Sequence, residues 1–231
     1  MTHDMAMPPL YSPRNTHAAA PPTTTGLPTA SMPIARLLAD PYLFSVPHYQ
    51  RPYSWSLKEA GQLLEDVLGA AGVDSEDTAE PDYFLGAILL LSTSGDEALP
   101  AHGAPRVFEI VDGQQRLVTL AILACVMRDL DDSETDDVAR EIEPLIETAG
   151  DCPEGRRGRY RLELRGQQQA FLETCVLAEG ACSEMPDTEV IGEAERRILE
   201  IREHFINELI GLDNEQRLAL ARYLRNECYF V

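Results

Sequence analysis

The sequence predicts an α+β fold: a small mixed-sheet core with flanking helices, followed by a mainly helical region. Three observations carry this. Short runs of β-branched, aliphatic and aromatic residues at 43–46, 83–91 and 106–111 are bounded by Pro, Gly or Asp, as strands are. The run at 106–111 passes through Asp112-Gly113, a turn dipeptide, straight into an apolar helix over about 115–130. Beyond it, apolar residues recur at helical spacing over most of the chain.

Residues 1–32 are rich in Pro, Thr and Ala with little apolar periodicity, and are expected to form a disordered or loosely attached arm. IARLLA after Pro33 is a short helix, and LFSV between Pro41 and Pro47 a short strand. Ser56 followed three residues later by Glu59 is a capping-box signature that opens a helix over about 57–71, ended by Gly72. YFLGAILLL at 83–91 is too short and too continuously apolar for a surface helix and reads as a buried strand. After the 115–130 helix come an acidic helix at 136–148, an alternating strand RYRLEL at 159–164, and helical periods at 167–178, 188–211 and 214–226. ECYFV at 227–231 begins like a strand, which suggests an early end to the chain or a partner segment that is missing. The expected organisation is therefore an arm at 1–32, a core at 33–130 and a helical extension at 131–231.

The 231 residues carry a formal charge of −20, which argues against a free-standing binder of nucleic acid or anionic membrane. The acidity is local: residues 129–151 hold ten acids against Arg140 alone, whereas 34–73 and 83–128 each carry one more acid than base. A small Arg-lined pocket in those two segments is compatible with the total. No membrane span or secretory signal is apparent, and a cytoplasmic location is expected. Five cysteines without a CxxC pair read as reduced structural or incidental thiols.

Two stretches can carry chemistry. In EIVDGQQRLVTL, residues 109–120, a strand delivers Asp112 and Gly113 to a helix whose first turn holds Gln114, Gln115 and Arg116. The first-turn N–H groups lack intrahelical acceptors and the helix dipole adds positive potential, so phosphate oxygens are natural guests. Arg116 can add a bidentate contact, the Gln amides can donate to phosphate or position a water, and Asp112 can cap the helix, hold a cation or bind a ribose. In VPHYQRPYSW, residues 46–55, rings are interleaved with His48, Gln50 and Arg51, an arrangement that stacks a base or sugar or, alternatively, staples the next helix to the core. The Arg156, Arg157, Arg159, Arg161 and Arg165 cluster is either a phosphate-backbone contact or a solvated flank balancing the acidic stretch. Asp66 is a second candidate metal carboxylate, or an exposed one without such a role. A single Lys and no GxxxxGK[ST] exclude a P-loop.

V-P-H-Y-Q-R-P-Y-S-W, L-L-E-D-V-L, Y-F-L-G-A-I-L-L-L and I-V-D-G-Q-Q-R-L-V-T-L, in this order, resemble the N-terminal domain of the GmrSD-type modification-dependent restriction enzymes, a family with a ParB/sulfiredoxin-like fold. The resemblance implies a nucleoside-triphosphate-binding domain, often an NTPase, that couples nucleotide state to recognition or cleavage of modified phage DNA. On that basis Asp112, Gln115 and Arg116 are the candidate catalytic residues, and Gly113, Gln114, Gln115, Arg116, Thr119, Gln50 and Arg51 the nucleotide-binding set. Tyr49, Gln50, Arg51, Pro52, Tyr53 and Trp55 are candidates for recognising modified DNA. Magnesium is the implied cation, with Asp112 and Asp66 as candidate ligands, although Gln114 stands where the related ParB box G-E-R-R has a metal-binding Glu. The family's F-x-x-x-N-x-R-G segment and HNH-type nuclease domain are not found in these residues, so a separate or missing nuclease is the expected partner and cleavage is not expected here. Sulfiredoxin-like chemistry needs a Cys at the helix entrance, and Cys125 lies well inside. A non-catalytic reader of modified DNA and an idle remnant are the alternative readings.

Overall fold

A computed structural model describes residues 29–73, 81–93, 105–132, 134–149, 158–184 and 192–231. Most of the expected arm, part of the acidic loop after 73, Cys152, Arg156 and Arg157 lie outside them. In chain order the elements are β1 (Met32–Pro33), α1 (Ile34–Leu37), β2 (Tyr42–Ser45), α2 (Leu57–Ala71), β3 (Tyr83–Gly86), β4 (Leu89–Ser92), β5 (Arg106–Asp112) and α3 (Gln114–Asp129). There follow α4 (Asp137–Ile146), β6 (Leu162–Glu163), α5 (Gln167–Leu172), α6 (Glu193–Leu209), α7 (Asn214–Asn226) and β7 (Cys228–Phe230). The architecture is α+β, as the patterning predicts.

Helix α3 organises the core. Val118, Ile122, Leu123, Cys125, Val126 and Met127 have no exposed surface, and burial all round rather than on one stripe marks it as the central helix. Its C-terminal end is anchored by charge. Arg128 donates to the carbonyls of Leu177 and Ala178 at 2.9 and 2.7 Å, while the Asp129 carboxylate accepts from the N–H groups of Gly180 and Cys182 at 3.1 and 2.8 Å. Those bonds hold the turn after a π-helical segment, Glu173–Leu177, at which the predicted 167–178 helix leaves α geometry. Burial pushes the Cys125 and Cys228 thiols up to about 12 and raises those of Cys175 and Cys182, so all four stay protonated.

One sheet runs β4-β5-β2-β6, with β5 and β6 parallel to β2 and β4 antiparallel to β5; the other runs β1-β7-β3. Residues 131–231 thus supply β6 and β7 to sheets begun by residues 32–112, and one apolar core extends from Ile34 to Phe230. The strand at 228–230 finds both partners within the chain, pairing antiparallel with β1 and parallel with β3, so the expected missing partner is not needed.

The run at 83–91 departs from the single buried strand expected of it. Gly86, at φ +116°, breaks it into β3 and β4, which enter different sheets. Both lie at sheet edges, and their side chains alternate between a covered face and one open to solvent: Phe84, Leu89 and Leu91 are exposed and Leu85 is buried. Among the described residues no helix is long and apolar enough to cross a membrane.

Helix α2 begins as its sequence predicts. The Ser56 hydroxyl accepts from the Lys58 N–H at 3.3 Å, and Glu59 reaches back to the Ser56 N–H at 2.8 Å. The bonds from Ser56 hold the Glu59 carboxyl below its usual range. Its contribution is therefore present above the ordinary carboxylate pKa and fades as pH falls through the lowered folded value. Ser56→Ala is expected to cost about 1 kcal/mol in urea denaturation at neutral pH, with a deficit that shrinks as the solution is made acid.

Candidate functional site

The two sequence motifs meet at the first turn of α3. Strand β5 ends at Asp112, and Gly113 turns the chain at φ +96° as the N-cap of α3, with no side-chain cap. Asp112 therefore does not cap the helix. It stays exposed, one residue before the N-cap. A β-carbon at Gly113 would sit 2.4 Å from Cγ2 of Ile88, so close packing as well as φ requires glycine here.

The 46–55 loop lies against this entrance through side-chain amides. Gln50 donates to the Val111 carbonyl at 2.7 Å, and Gln114 donates to the Arg51 carbonyl at 3.2 Å. The Gln115 Oε1 accepts from the N–H groups of Ser54 and Trp55 at 2.8 and 3.2 Å. Beneath them the Tyr53 hydroxyl and the Thr119 hydroxyl are 2.6 Å apart, and Thr119 also donates to the Gln115 carbonyl at 2.8 Å. Burial raises the Tyr53 pKa, so its phenol remains a hydrogen-bond donor.

These contacts divide the candidate residues. Thr119 is fully buried and Tyr53 is 2% exposed, so both support the entrance from below rather than face a ligand. Gln115 anchors the loop. A water-orienting role for its carbonyl would need lone pairs that Ser54 and Trp55 already use. Tyr49, Arg51, Pro52 and Asp112 are exposed, and Arg116 and Trp55 half-buried, so the ligand-accessible chemistry at the entrance is carried by this subset. The aromatic group splits as well: Tyr42 and Phe44 pack on Phe108 in the sheet, and Tyr49 stands beside His48 in solvent.

Arg116 lies along the β3–β4 connection, with Nη1 3.4 Å from the Ala87 carbonyl. A β-carbon on Gly86 would be 3.0 Å from both its Cζ and its Nε. Gly86 is thus a supporting residue that the sequence alone does not reveal, since it reads as one glycine in an apolar run. Gly86→Ala, strained at φ +116° and crowding the guanidinium, is expected to displace Arg116. Its effect should be a several-fold loss of phosphate-ligand affinity and about 1–3 kcal/mol of stability, read by calorimetric titration and denaturation. Arg197 of α6 is a second residue that periodicity hides: it donates to the Ser54 carbonyl and ties the loop to the helical region.

The other candidates lie elsewhere. Asp66 accepts from Gln62 at 2.7 Å and from the Tyr83 hydroxyl at 3.1 Å. Among the described residues no group of three or more His, Cys, Asp or Glu side chains is placed to hold a metal. Of the basic cluster, Arg161 is 2% exposed and bonds the Tyr42 carbonyl and Asp40, Arg159 pairs with Glu163, and Arg165 bonds the Val46 carbonyl. Arg161 thus serves the fold, while the side chains of Arg159 and Arg165 are more than half exposed. The core also encloses an apolar cavity of about 20 Å³ among Phe44, Leu120 and Leu145, with room for one water and no ligand.

A strand-glycine-helix entrance closed by an amide-anchored loop, with Arg51, Asp112 and Arg116 at its rim, defines a class of α+β domain by its site as well as its sheets. The family model described as GmrSD restriction endonuclease, N-terminal domain, matches residues 34–230, and the chain belongs to this family. That match runs from α1 to β7 and so takes in strands contributed by both halves of the sequence. No curated protein matches the chain.

Proposed function

We propose that this restriction-system N-terminal domain is a nucleoside-triphosphate-binding and hydrolysing sensor, acting in the cytoplasm on modified DNA together with an HNH-type nuclease domain. The ParB-like fold implied by the motifs belongs to the same reading. The observation that carries it is the convergence of the two motifs. The first turn of a rigidly packed helix that no side chain caps, the Arg116 guanidinium beside it and the exposed Arg51, whose carbonyl takes the Gln114 amide, are the groups this reading assigns to a polyphosphate.

In hydrolysis, a water oxygen bonds the γ-phosphorus as the bond to the bridging oxygen breaks and its electrons leave with the nucleoside diphosphate. Arg116 offsets charge on the transferred group, and Asp112 takes the water's proton. Gln115 and Gln50 keep the loop in place, and Tyr49 offers a ring to the base. Asp112 is the carboxylate available to magnesium when it accompanies the nucleotide; Asp66, held by Gln62 and Tyr83, is not part of this arrangement.

The test is phosphate release and calorimetric binding with the four ribonucleoside triphosphates, with and without magnesium and DNA bearing modified bases. Saturable binding with turnover supports the proposal. Tight binding to modified DNA without nucleotide binding or turnover would replace it with a non-catalytic reader.

A further inference from the structure

The two faces of the β1-β7-β3 sheet differ. Cys228 and Phe230 of the middle strand turn inward and are buried, and their register partners, Tyr83 and Met32, pack on the core. Side chains alternate along a strand, so Tyr229 faces the other way, and its partners Pro33 on β1 and Phe84 on β3 share that face. Neighbouring strands lie about 4.8 Å apart, which makes Pro33, Tyr229 and Phe84 a continuous row across all three. Neither ring is among the side chains packed on the apolar core, and Phe84 is 57% exposed. Two carboxylates flank the row. The Asp82 carboxylate accepts from the Tyr229 hydroxyl, and Glu227 stands two residues before Tyr229. The parallel register of β3 and β7, continued one residue back by the bond from the Tyr83 N–H to the Glu227 carbonyl at 2.7 Å, sets these two acids opposite each other. Partial burial, and then these same carboxylates, raise the Tyr229 pKa, so the phenol stays protonated. Like charges at opposed positions repel, a cost that a cationic guest removes.

We infer that this outer sheet face is a docking surface for a basic, arginine-bearing segment of a partner protein. A guanidinium stacks on an aromatic ring while its N–H groups donate to carboxylates, and rings beside paired acids supply both halves of that recognition. A bare metal ion fits less well. Among the described residues no three carboxylate, His or Cys groups converge on one point, and the rings offer a metal no ligand. The formal charge of −20 chooses between protein partners: a second copy of this chain brings like charge to the face, whereas a basic segment is attracted throughout its approach. Exposed aromatic side chains are also the residues most often used as interface anchors. The surface lies outside the α3 entrance, and the inference does not depend on nucleotide binding.

The experiment is calorimetric titration of the full chain, at physiological ionic strength, with a terminally blocked peptide of alternating glycine and arginine. Matched peptides carry lysine or neutral citrulline in place of arginine. Saturable binding of the arginine peptide is expected, about threefold tighter than the lysine peptide and far tighter than the citrulline peptide. Phe84→Ala and Glu227→Gln should each weaken it about threefold or more. Asp82→Asn should do the same without distorting the chain, because asparagine tolerates the φ of +57° found there. Glu215→Gln removes an equal charge from an exposed position at the other end of α7 and should leave binding unchanged. Equal losses in Glu215→Gln and Glu227→Gln would reveal only the general attraction of a polyanion and would overturn the inference. It is overturned as well by citrulline binding that matches arginine, by the absence of saturable binding, or by a dimer in sedimentation that Phe84→Ala abolishes. Should Phe84→Ala fail to fold, the comparison of Glu227→Gln with Glu215→Gln decides alone.

Discussion

Arg116→Ala is expected to lower nucleotide turnover by about 10²–10³-fold, the usual consequence of removing a positioned cation from a phosphoryl transition state. The side chain is half-buried, packed beside Gly86, and bonds the Ala87 carbonyl at 3.4 Å, so its loss should leave the thermal transition within a few degrees of wild type. That separation makes the variant informative. Binding should weaken alongside turnover, whereas Arg116→Lys should recover part of the affinity as a point charge and little of the rate, because a lysine cannot reproduce the planar fork. Phosphate release at saturating nucleotide, paired with calorimetry, checks both. Unchanged turnover in a folded Arg116→Ala protein would remove Arg116 from the mechanism.

Arg202→Met is expected to be among the most destabilising single substitutions away from the entrance. Arg202 is 1% exposed, and its Nη1 donates to the carbonyls of Cys175 and Ala181 at 2.8 and 3.1 Å, while Nη2 donates to that of Glu184 at 3.2 Å. It gathers the π-helical segment and the turn after it onto α6. Met fills a similar volume but satisfies none of the three carbonyls, so the cost should be about 3–5 kcal/mol, seen as a fall in Tm of about 10 °C. Arg202→Lys should recover a fraction. A Met variant within 1 kcal/mol of wild type would mean that water reaches those carbonyls.

Where a local chemical signal was sufficient, the sequence could be read directly. Ser56, Glu59 and Gly72 bound α2 as predicted, because capping and left-handed termination act within a few residues. The meeting of 46–55 with 109–120 was legible as a pairing of motifs. The assignment of tasks within it was not. Gln114 and Gln115 look equivalent in sequence, yet the carbonyl of one is taken by Ser54 and Trp55 and that of the other is unpaired, a difference decided by residues some 60 positions away. The break at Gly86 was hidden for a similar reason: its neighbours are all apolar, and only the Arg116 guanidinium packed against it shows why a glycine is required. Arg161 was misleading by composition, since an arginine among arginines suggests solvent, and it is instead an internal tie among Asp40 and the carbonyls of Tyr42 and Pro144.

Strand β7 sets the order in which the entrance can be assembled. It is the middle strand of its sheet, and just beyond it Val231 exchanges backbone hydrogen bonds with the connection over α3, from Ile88 N–H at 2.9 Å and to the Gly86 carbonyl at 3.3 Å. During synthesis the α3 entrance emerges long before residues 228–231 do, and the 86–88 segment that backs Arg116 waits unpaired until they arrive. Contacts of such long sequence separation are slow to form. A nascent chain therefore carries Gln114, Gln115 and Arg116 well before it carries the backbone bonds from Val231 that brace the connection beside Arg116.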